Sequence, residues 1–273
     1  MSDKNNQVAA IQMASSPNVS ANLLEAERLI SEATDRGAGL VVLPENFAFK
    51  GEKDKEMLTL CEEPHDGPLQ GFLSQMAKRH GVWIVGGTIP LRARKGGKVR
   101  ASCLVMNDQG QQVARYDKIH LFDVHLVATD EHYEESSTIE PGDEPVVVDT
   151  PFGRLGVAVC YDLRFPELFR KLLDMGAEIF VVPSSFTAIT GKAHWDTLVR
   201  ARAIENLAFV IAAAQGGYHV NGRETYGHSM IVDPWGTVLS QSPRGTGLVI
   251  AELDREYQKT IRRTFPTIDH RQL

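Results

Sequence analysis

The sequence predicts one α/β domain in which helices cover apolar strands on both faces. Helical and strand patterns alternate along the 273 residues, and several strands are continuous apolar runs, such as residues 40–43 and 179–182. A strand without a polar side is typical of a sheet that is covered on both faces. No linker, internal repeat or low-complexity stretch divides the chain, so we expect residues 1–273 to form a single domain.

The individual elements follow from apolar spacing and from the residues that begin and end helices. Ser20 suits the N-cap of a helix that ends at Gly37, and Pro68 begins a helix that Gly81 ends. The polar segment 119–144 is expected to be irregular, and loops of this length are usually functional or disordered. We predict helices at residues 20–37, 68–80, 166–176 and 194–206 and from residue 255. We predict strands at residues 8–13, 40–43, 82–88, 99–107, 113–118, 146–149, 154–159, 179–182, 207–214, 229–232, 237–239 and 247–253.

The composition argues against several classes of function. The net charge of −6 does not favour a nucleic-acid partner, which usually requires a basic face. No apolar run approaches the roughly 18 residues of a membrane span, and the polar start MSDKNNQ does not resemble a secretory signal. The three cysteines are odd in number and far apart, which indicates neither a disulfide framework nor a zinc site. We expect a cytoplasmic protein with no nucleic-acid or membrane partner.

Cys160 lies at the junction of a strand and a helix. The valine-rich run that begins at Leu155 stops at this cysteine, and Pro166 then opens a helical pattern. Amide groups at such a junction can face a developing negative charge, and nearby positive groups favour a thiolate. Most free cysteines are small buried hydrophobic residues, so this stretch alone leaves packing and catalysis equally open.

Glu45 and Lys118 also stand at the ends of strands. Each alone could be a solvated strand end, but the two join Cys160 on one rim if those strand ends lie together. Their chemistries are then complementary: a thiol attacks a carbonyl, a carboxylate removes the thiol proton, and an ammonium stabilises the oxyanion. The three residues therefore predict nucleophilic catalysis.

Other constellations are weaker. His120, His125 and His132 with Asp123 match no standard metal-site spacing, and a solvated loop explains them better than a metal site does. A cysteine–histidine pair stays open because nine histidines are present, but none carries a local signature. The sequence contains no GxSxG elbow, no phosphate-binding glycine loop and no HExxH. We therefore expect no metal and no other cofactor.

Three blocks resemble the signature motifs of the nitrilase superfamily of carbon–nitrogen hydrolases. They are LPENF around Glu45, RYDKIHLFD around Lys118 and GVAVCYDLRFPEL around Cys160, and their order and long separations match as well. The resemblance covers nearly the whole chain. It implies an α/β fold of the four-layer α-β-β-α sandwich type, which usually pairs into a dimer or a larger assembly, so a homodimer or homotetramer is expected.

The resemblance also implies a role for each residue. Glu45 corresponds to the general base, Lys118 to the lysine that stabilises the tetrahedral intermediate, and Cys160 to the nucleophile. Glu134, in the block HYEESST, corresponds to a second glutamate that positions the lysine and the substrate. A solvated acid in an acidic loop is the alternative interpretation of Glu134.

A narrower resemblance concerns the substrate. The blocks PSSFTAITGKAHWDTLVRARAIEN, AAAQGGYH and YGHSMIVDPWGTV resemble the branch of deaminated-glutathione amidases. The related ω-amidases, which act on 2-oxoglutaramate and 2-oxosuccinamate, share the three catalytic residues and stay an alternative. A catalytically silent binding module on the same fold is a second alternative. The expected function is hydrolysis of a small carboxylate-bearing amide to an acid and ammonia, or another amine, through a thioester on Cys160.

The remaining site residues are expected around the nucleophile. The backbone N–H of Tyr161 directly follows Cys160 and is expected to hold the oxyanion together with Lys118. A small-molecule amide that carries carboxylates needs cationic or hydrogen-bonding groups in its pocket. The candidates are Arg164, Phe186, Thr190, Lys192 and Arg223, although surface solubility or internal salt bridges explain the charged ones equally well.

Overall fold

Two β-sheets lie face to face between two layers of helices. The computed structural model describes residues 6–94, 96–127 and 130–272. Its helices are α1 (Val19–Asp35), α2 (Pro68–His80), α3 (Pro166–Asp174), α4 (Ala188–Asn206) and α5 (Arg255–Thr264). Its strands are β1 (Gln7–Gln12), β2 (Leu40–Val42), β3 (Trp83–Val85), β4 (Ile89–Arg92), β5 (Val99–Met106), β6 (Gln112–Asp117), β7 (Asp123–Leu126), β8 (Glu131–Glu134), β9 (Val146–Thr150), β10 (Gly153–Val157), β11 (Ile179–Val181), β12 (Phe209–Ala212), β13 (Gly216–Tyr218), β14 (Glu224–Tyr226), β15 (Met230–Val232), β16 (Val238–Gln241) and β17 (Gly247–Glu252).

Each large sheet has three parallel strands at its centre. The first sheet has the order β17-β1-β2-β3-β5-β4, with β6 also paired to β5, and β1, β2 and β3 are parallel. The second has the order β16-β15-β12-β11-β10-β9, in which β10, β11 and β12 are parallel. Two short hairpins, β7–β8 and β13–β14, stand apart from both sheets. Parallel strands align their carboxyl ends, which is why residues from distant parts of the chain meet at one edge.

The alternation of side chains along the strands produces the four layers. In β1, Val8 and Ala10 belong to the cluster of buried residues between the two sheets. Ala9 and Ile11 point to the opposite face and pack in a second cluster with residues of α1 and α2. Helices α3 and α4 contact the outer face of the second sheet. The observed architecture is therefore the α-β-β-α sandwich that the resemblance implied.

Several elements differ from those predicted. Helix α2 has the predicted bounds, but α1 is capped by Asn18, whose Oδ1 accepts a hydrogen bond from the Ala21 N–H at 3.0 Å. Helix α4 begins at Ala188, six residues earlier than predicted, because Thr187 caps it with its side chain. The segment predicted to be irregular contains the β7–β8 hairpin. Among the described helices, none is both long and apolar enough to cross a membrane.

Candidate active site

Glu45, Lys118 and Cys160 follow three different strands and meet at one edge of the sandwich. Glu45 follows β2 and Lys118 follows β6 in the first sheet, whereas Cys160 follows β10 in the second. All three side chains line one cavity and are buried, with exposed fractions of 3%, 2% and 8% respectively. The site is therefore built across the facing edges of both sheets.

Lys118 is shared by two carboxylates. Its Nζ donates to Glu45 Oε1 at 2.8 Å and to the two carboxylate oxygens of Glu135 at 2.8 and 2.9 Å. The Phe122 N–H donates to Glu135 Oε2 at 2.7 Å and so fixes the second carboxylate. One ammonium between two buried carboxylates leaves this cluster with a net negative charge when all three groups are ionised.

The structure corrects the position of the second glutamate. Glu135 contacts Lys118, whereas Glu134, predicted to do so, has an exposed side chain at the end of β8. Successive side chains of a strand point to opposite sides, so Glu134 does not share the side of Tyr133 and Glu135, although all three residues line the cavity. Half-buried and exposed residues alternate along β8, but in the sequence EHYEE only Tyr133 marks that alternation, so the prediction treats this segment as an irregular loop.

Cys160 occupies a strained turn. Its φ of 48° lies in the left-handed region, which residues with a Cβ rarely adopt. The turn is stabilised by the Cys160 N–H, which donates to the Pro183 carbonyl at 2.8 Å, and it continues as a 3-10 helix over Cys160–Arg164. The Ser185 N–H approaches Sγ at 3.4 Å. In this strained conformation the thiol faces the cavity. The Tyr161 N–H lies in the first turn of the 3-10 helix, where N–H groups have no intrahelical acceptor.

The electrostatics of the cluster favour a neutral thiol in the resting protein. Burial, and then the charge of Glu45, raise the pKa of Cys160 well above its usual value, against the opposing effect of Lys118. Burial alone would lower the pKa of Lys118, but Glu135 and Glu45 raise it well above the usual value of lysine. Burial also raises the pKa of Glu135, while Lys118 opposes that rise. An attack by sulfur therefore requires a base that takes the thiol proton as the bond forms.

Asp162 connects the segment that carries Lys118 with the turn that carries Cys160. Its fully buried carboxylate accepts from the Tyr116 hydroxyl at 2.6 Å and from the Val159 N–H at 2.8 Å. It also contacts His120 twice, at the backbone N–H (3.0 Å) and at Nδ1 (2.7 Å). His120 is thereby held in a structural network, which accounts for it without a metal.

The cavity has a volume of about 1020 Å³ including its open mouth. Of the predicted substrate-binding residues, four line it: Arg164, Phe186, Thr190 and Arg223. The structure corrects the prediction for Lys192, which is exposed on α4 and is not among the residues that line the cavity. Two residues along a helix correspond to a rotation of about 200°. Lys192 therefore lies on the opposite face of α4 from Thr190 and points to solvent.

The guanidinium groups of the cavity are held by aromatic rings. Arg164 lies over the rings of Tyr161 and Phe186, at 5.8 and 5.1 Å from their centroids. Arg223 lies 4.2 Å from the centroid of Tyr133. The sequence analysis missed Lys50 and Ser185, which also line the cavity, because no local pattern marks either residue.

Comparison with known proteins gives consistent results. The family model described as carbon-nitrogen hydrolase matches residues 7–263. The chain is 44% identical over 268 residues to a deaminated glutathione amidase of Yersinia enterocolitica. The aligned region covers 98% of this chain and 93% of that protein.

The fold is also similar to solved structures. The NitFhit protein of Caenorhabditis elegans superposes with a TM-score of 0.89 at 36% identity, over 100% of this chain and 66% of that longer one. Saccharomyces cerevisiae Nit3, described as a member of branch 10 of the nitrilase superfamily, superposes with a TM-score of 0.88 at 32% identity, over 98% of this chain and 96% of Nit3.

Proposed function

This chain belongs to the carbon–nitrogen hydrolase family and is an amidase that acts on carbon–nitrogen bonds other than peptide bonds, and we propose that it hydrolyses deaminated glutathione with Cys160 as its nucleophile. The observation that carries the mechanism is the buried contact of Lys118 with Glu45 beside a thiol on a strained turn. The observation that supports the substrate is the 44% identity to a deaminated glutathione amidase over nearly the whole chain.

The chemistry of this substrate determines the leaving group. Deaminated glutathione is glutathione whose glutamyl amino group is replaced by an oxo group, so hydrolysis of its side-chain amide releases cysteinylglycine and 2-oxoglutarate. Ammonia, the leaving group named first in the sequence analysis, is released only from a primary amide such as 2-oxoglutaramate. Both substrates place the same 2-oxoglutaryl group on the enzyme, and they differ only in the amine that departs.

The first half of the proposed reaction forms the thioester. Glu45 accepts the Cys160 proton while sulfur attacks the amide carbon, and the carbonyl electrons move to oxygen. Lys118 and the Tyr161 N–H stabilise that oxyanion, and loss of one such donor costs about 3 kcal/mol in acyl-transfer sites. The tetrahedral intermediate then collapses, Glu45 transfers its proton to the nitrogen, and the amine leaves.

The second half of the reaction releases the acid. A water molecule takes the place of the amine, Glu45 removes its proton, and the hydroxide attacks the thioester carbon. The carbon–sulfur bond breaks and the proton returns to Cys160. Lys118 stabilises both tetrahedral intermediates, while Glu135 keeps its ammonium in place. We assign Glu135 this positioning role in place of Glu134.

Two arginines are proposed to bind the leaving half of the substrate. Cysteinylglycine ends in a carboxylate, and guanidinium groups are well suited to carboxylates. Arg223 and Arg164 line the cavity and are held in place by aromatic rings. Phe186 and Thr190 supply an apolar surface and a hydroxyl in the same wall.

Product analysis tests this proposal. We expect a higher kcat/KM for deaminated glutathione, measured as cysteinylglycine release, than for 2-oxoglutaramate, measured as ammonia release. A strong preference for 2-oxoglutaramate would instead identify an ω-amidase. Failure of the purified wild-type protein to hydrolyse either compound would favour a silent binding module. Cys160→Ala is the matched inactive control in each assay.

We also propose that the protein forms a homodimer or homotetramer, as the family resemblance implies, and that it is located in the cytoplasm, as the unpaired cysteines indicate. Light scattering during size-exclusion chromatography tests the assembly, and fractionation of cells tests the location. A monomer or a membrane-associated fraction would contradict these two proposals.

A further inference from the structure

Lys50 is a partly buried cation in the wall of the cavity, and it takes no part in the steps derived above. Its Nζ donates to the Ser185 hydroxyl at 2.6 Å. The N–H of the same serine approaches Cys160 Sγ at 3.4 Å. A single residue therefore links the Lys50 ammonium to the nucleophile.

The ammonium of Lys50 makes no direct ion pair within the described part of the chain. Lys118 is shared by two carboxylates, and Arg223 lies 3.7 Å from a carboxylate oxygen of Asp54. Among the described residues, Lys50 has no carboxylate within ion-pair distance, and its hydrogen-bond partner is a neutral hydroxyl. Burial lowers the pKa of Lys50, and the charges of Glu45 and Asp54, which lie beyond ion-pair distance, oppose this effect only in part. A ligand anion would offset the remaining cost of burial.

We propose that Lys50, together with the Ser185 hydroxyl, binds the carboxylate of the acyl half of the substrate. This proposal rests on the proposed function, because it concerns the 2-oxo acid that stays on Cys160 as the thioester. In that group a short carbon chain joins the carbonyl carbon to the carboxylate, so the receptor must lie close to the sulfur. Lys50 meets this condition through Ser185.

The position of Lys50 also assigns the two ends of the substrate to different cations. The carboxylate of cysteinylglycine is separated from the reacting carbon by a whole dipeptide, and it belongs with the arginines of the cavity. The 2-oxo acid carboxylate is common to deaminated glutathione and 2-oxoglutaramate. Lys50 therefore selects the acyl group, and it does not discriminate between the two leaving groups.

A pair of amides that differ only at this carboxylate tests the proposal. The amide 4-oxopentanamide carries a methyl group where 2-oxoglutaramate carries its carboxylate. We expect Lys50→Met to lower kcat/KM for 2-oxoglutaramate about 10- to 100-fold, mainly through KM, which is the range expected for a lost hydrogen bond to a charged group. Hydrolysis of 4-oxopentanamide should not change. Lys55→Met removes the same charge at an exposed residue outside the cavity and should alter neither reaction.

The other outcomes overturn the proposal. An equal loss with both amides would show that Lys50 has only a structural role. A loss with deaminated glutathione but not with 2-oxoglutaramate would place the leaving-group carboxylate on Lys50 instead.

Equilibrium binding of 2-oxoglutarate separates this proposal from the proposed function. If the wild-type protein hydrolyses neither amide, the proposed function fails. The Lys50 proposal then stands if Lys50→Met weakens 2-oxoglutarate binding and leaves 4-oxopentanoate binding unchanged. It is wrong if the wild type and Lys50→Met bind 2-oxoglutarate with the same affinity.

Discussion

Replacement of Glu135 by glutamine is the sharpest test of how the site is organised. Glu135 makes two charge-assisted hydrogen bonds to Lys118, at 2.8 and 2.9 Å, in a buried cluster. Such bonds contribute about 1.5–3 kcal/mol each, and a neutral acceptor retains roughly half of that. Glu135→Gln should therefore cost about 1.5–3 kcal/mol of transition-state stabilisation, or about 10- to 150-fold in kcat/KM. Among the described residues, Glu45 is then the one carboxylate that still contacts Lys118.

The matched control is one residue away. Glu134→Gln removes the same charge from an exposed side chain that lines the cavity but, in the described part of the chain, makes no contact with Lys118, so its kcat/KM should stay close to that of the wild type. Thermal unfolding of both variants shows whether the fold is retained, and we expect it to be, since glutamine can keep the bond from the Phe122 N–H and removes a buried charge. The reasoning would be refuted if Glu134→Gln were inactive while Glu135→Gln kept full activity.

Two further predictions concern stability. Asp162→Asn places an amide among several buried donors and should lower the free energy of unfolding by about 2–4 kcal/mol in urea denaturation, whereas Glu167→Gln, exposed on α3, should change it little. Burial lowers the pKa of His219 from 6.5 to about 4. Between these two pH values, His219 is therefore protonated in the unfolded chain and neutral in the folded protein. Stability is then lost as the pH falls from 6.5 towards 4, by up to about 3 kcal/mol, and His219→Gln should remove that part of the slope. An identical pH dependence in wild type and variant would contradict the assignment to His219.

The sequence predicted the parts of the site that depend on strand ends. Glu45, Lys118 and Cys160 each stand at the end of a predicted strand, and the aligned ends of packed strands bring such residues together whatever the details of the loops. The layer order was implied by the resemblance and is confirmed by the alternation of side chains in β1.

The errors lie where local register decides which side chain enters the cavity. Glu135, which directly follows β8, makes the contact predicted for Glu134, because this polar segment carries no apolar alternation that would indicate its register. Lys192 was placed in the site by its sequence neighbours, although the helical rotation of α4 turns it away. Lys50 was missed because its position depends on two loops, from the two sheets, that meet only in the folded protein.

The most direct test of the central claim is the mass of the protein during turnover. Rapid acid quenching of wild type with deaminated glutathione should show one added 2-oxoglutaryl group, and peptide mapping should locate it on Cys160. The same adduct should form from 2-oxoglutaramate, because both substrates deliver the same acyl group. Turnover with no covalent adduct, or with the adduct on Cys61 or Cys103, would contradict a mechanism in which Cys160 is the nucleophile.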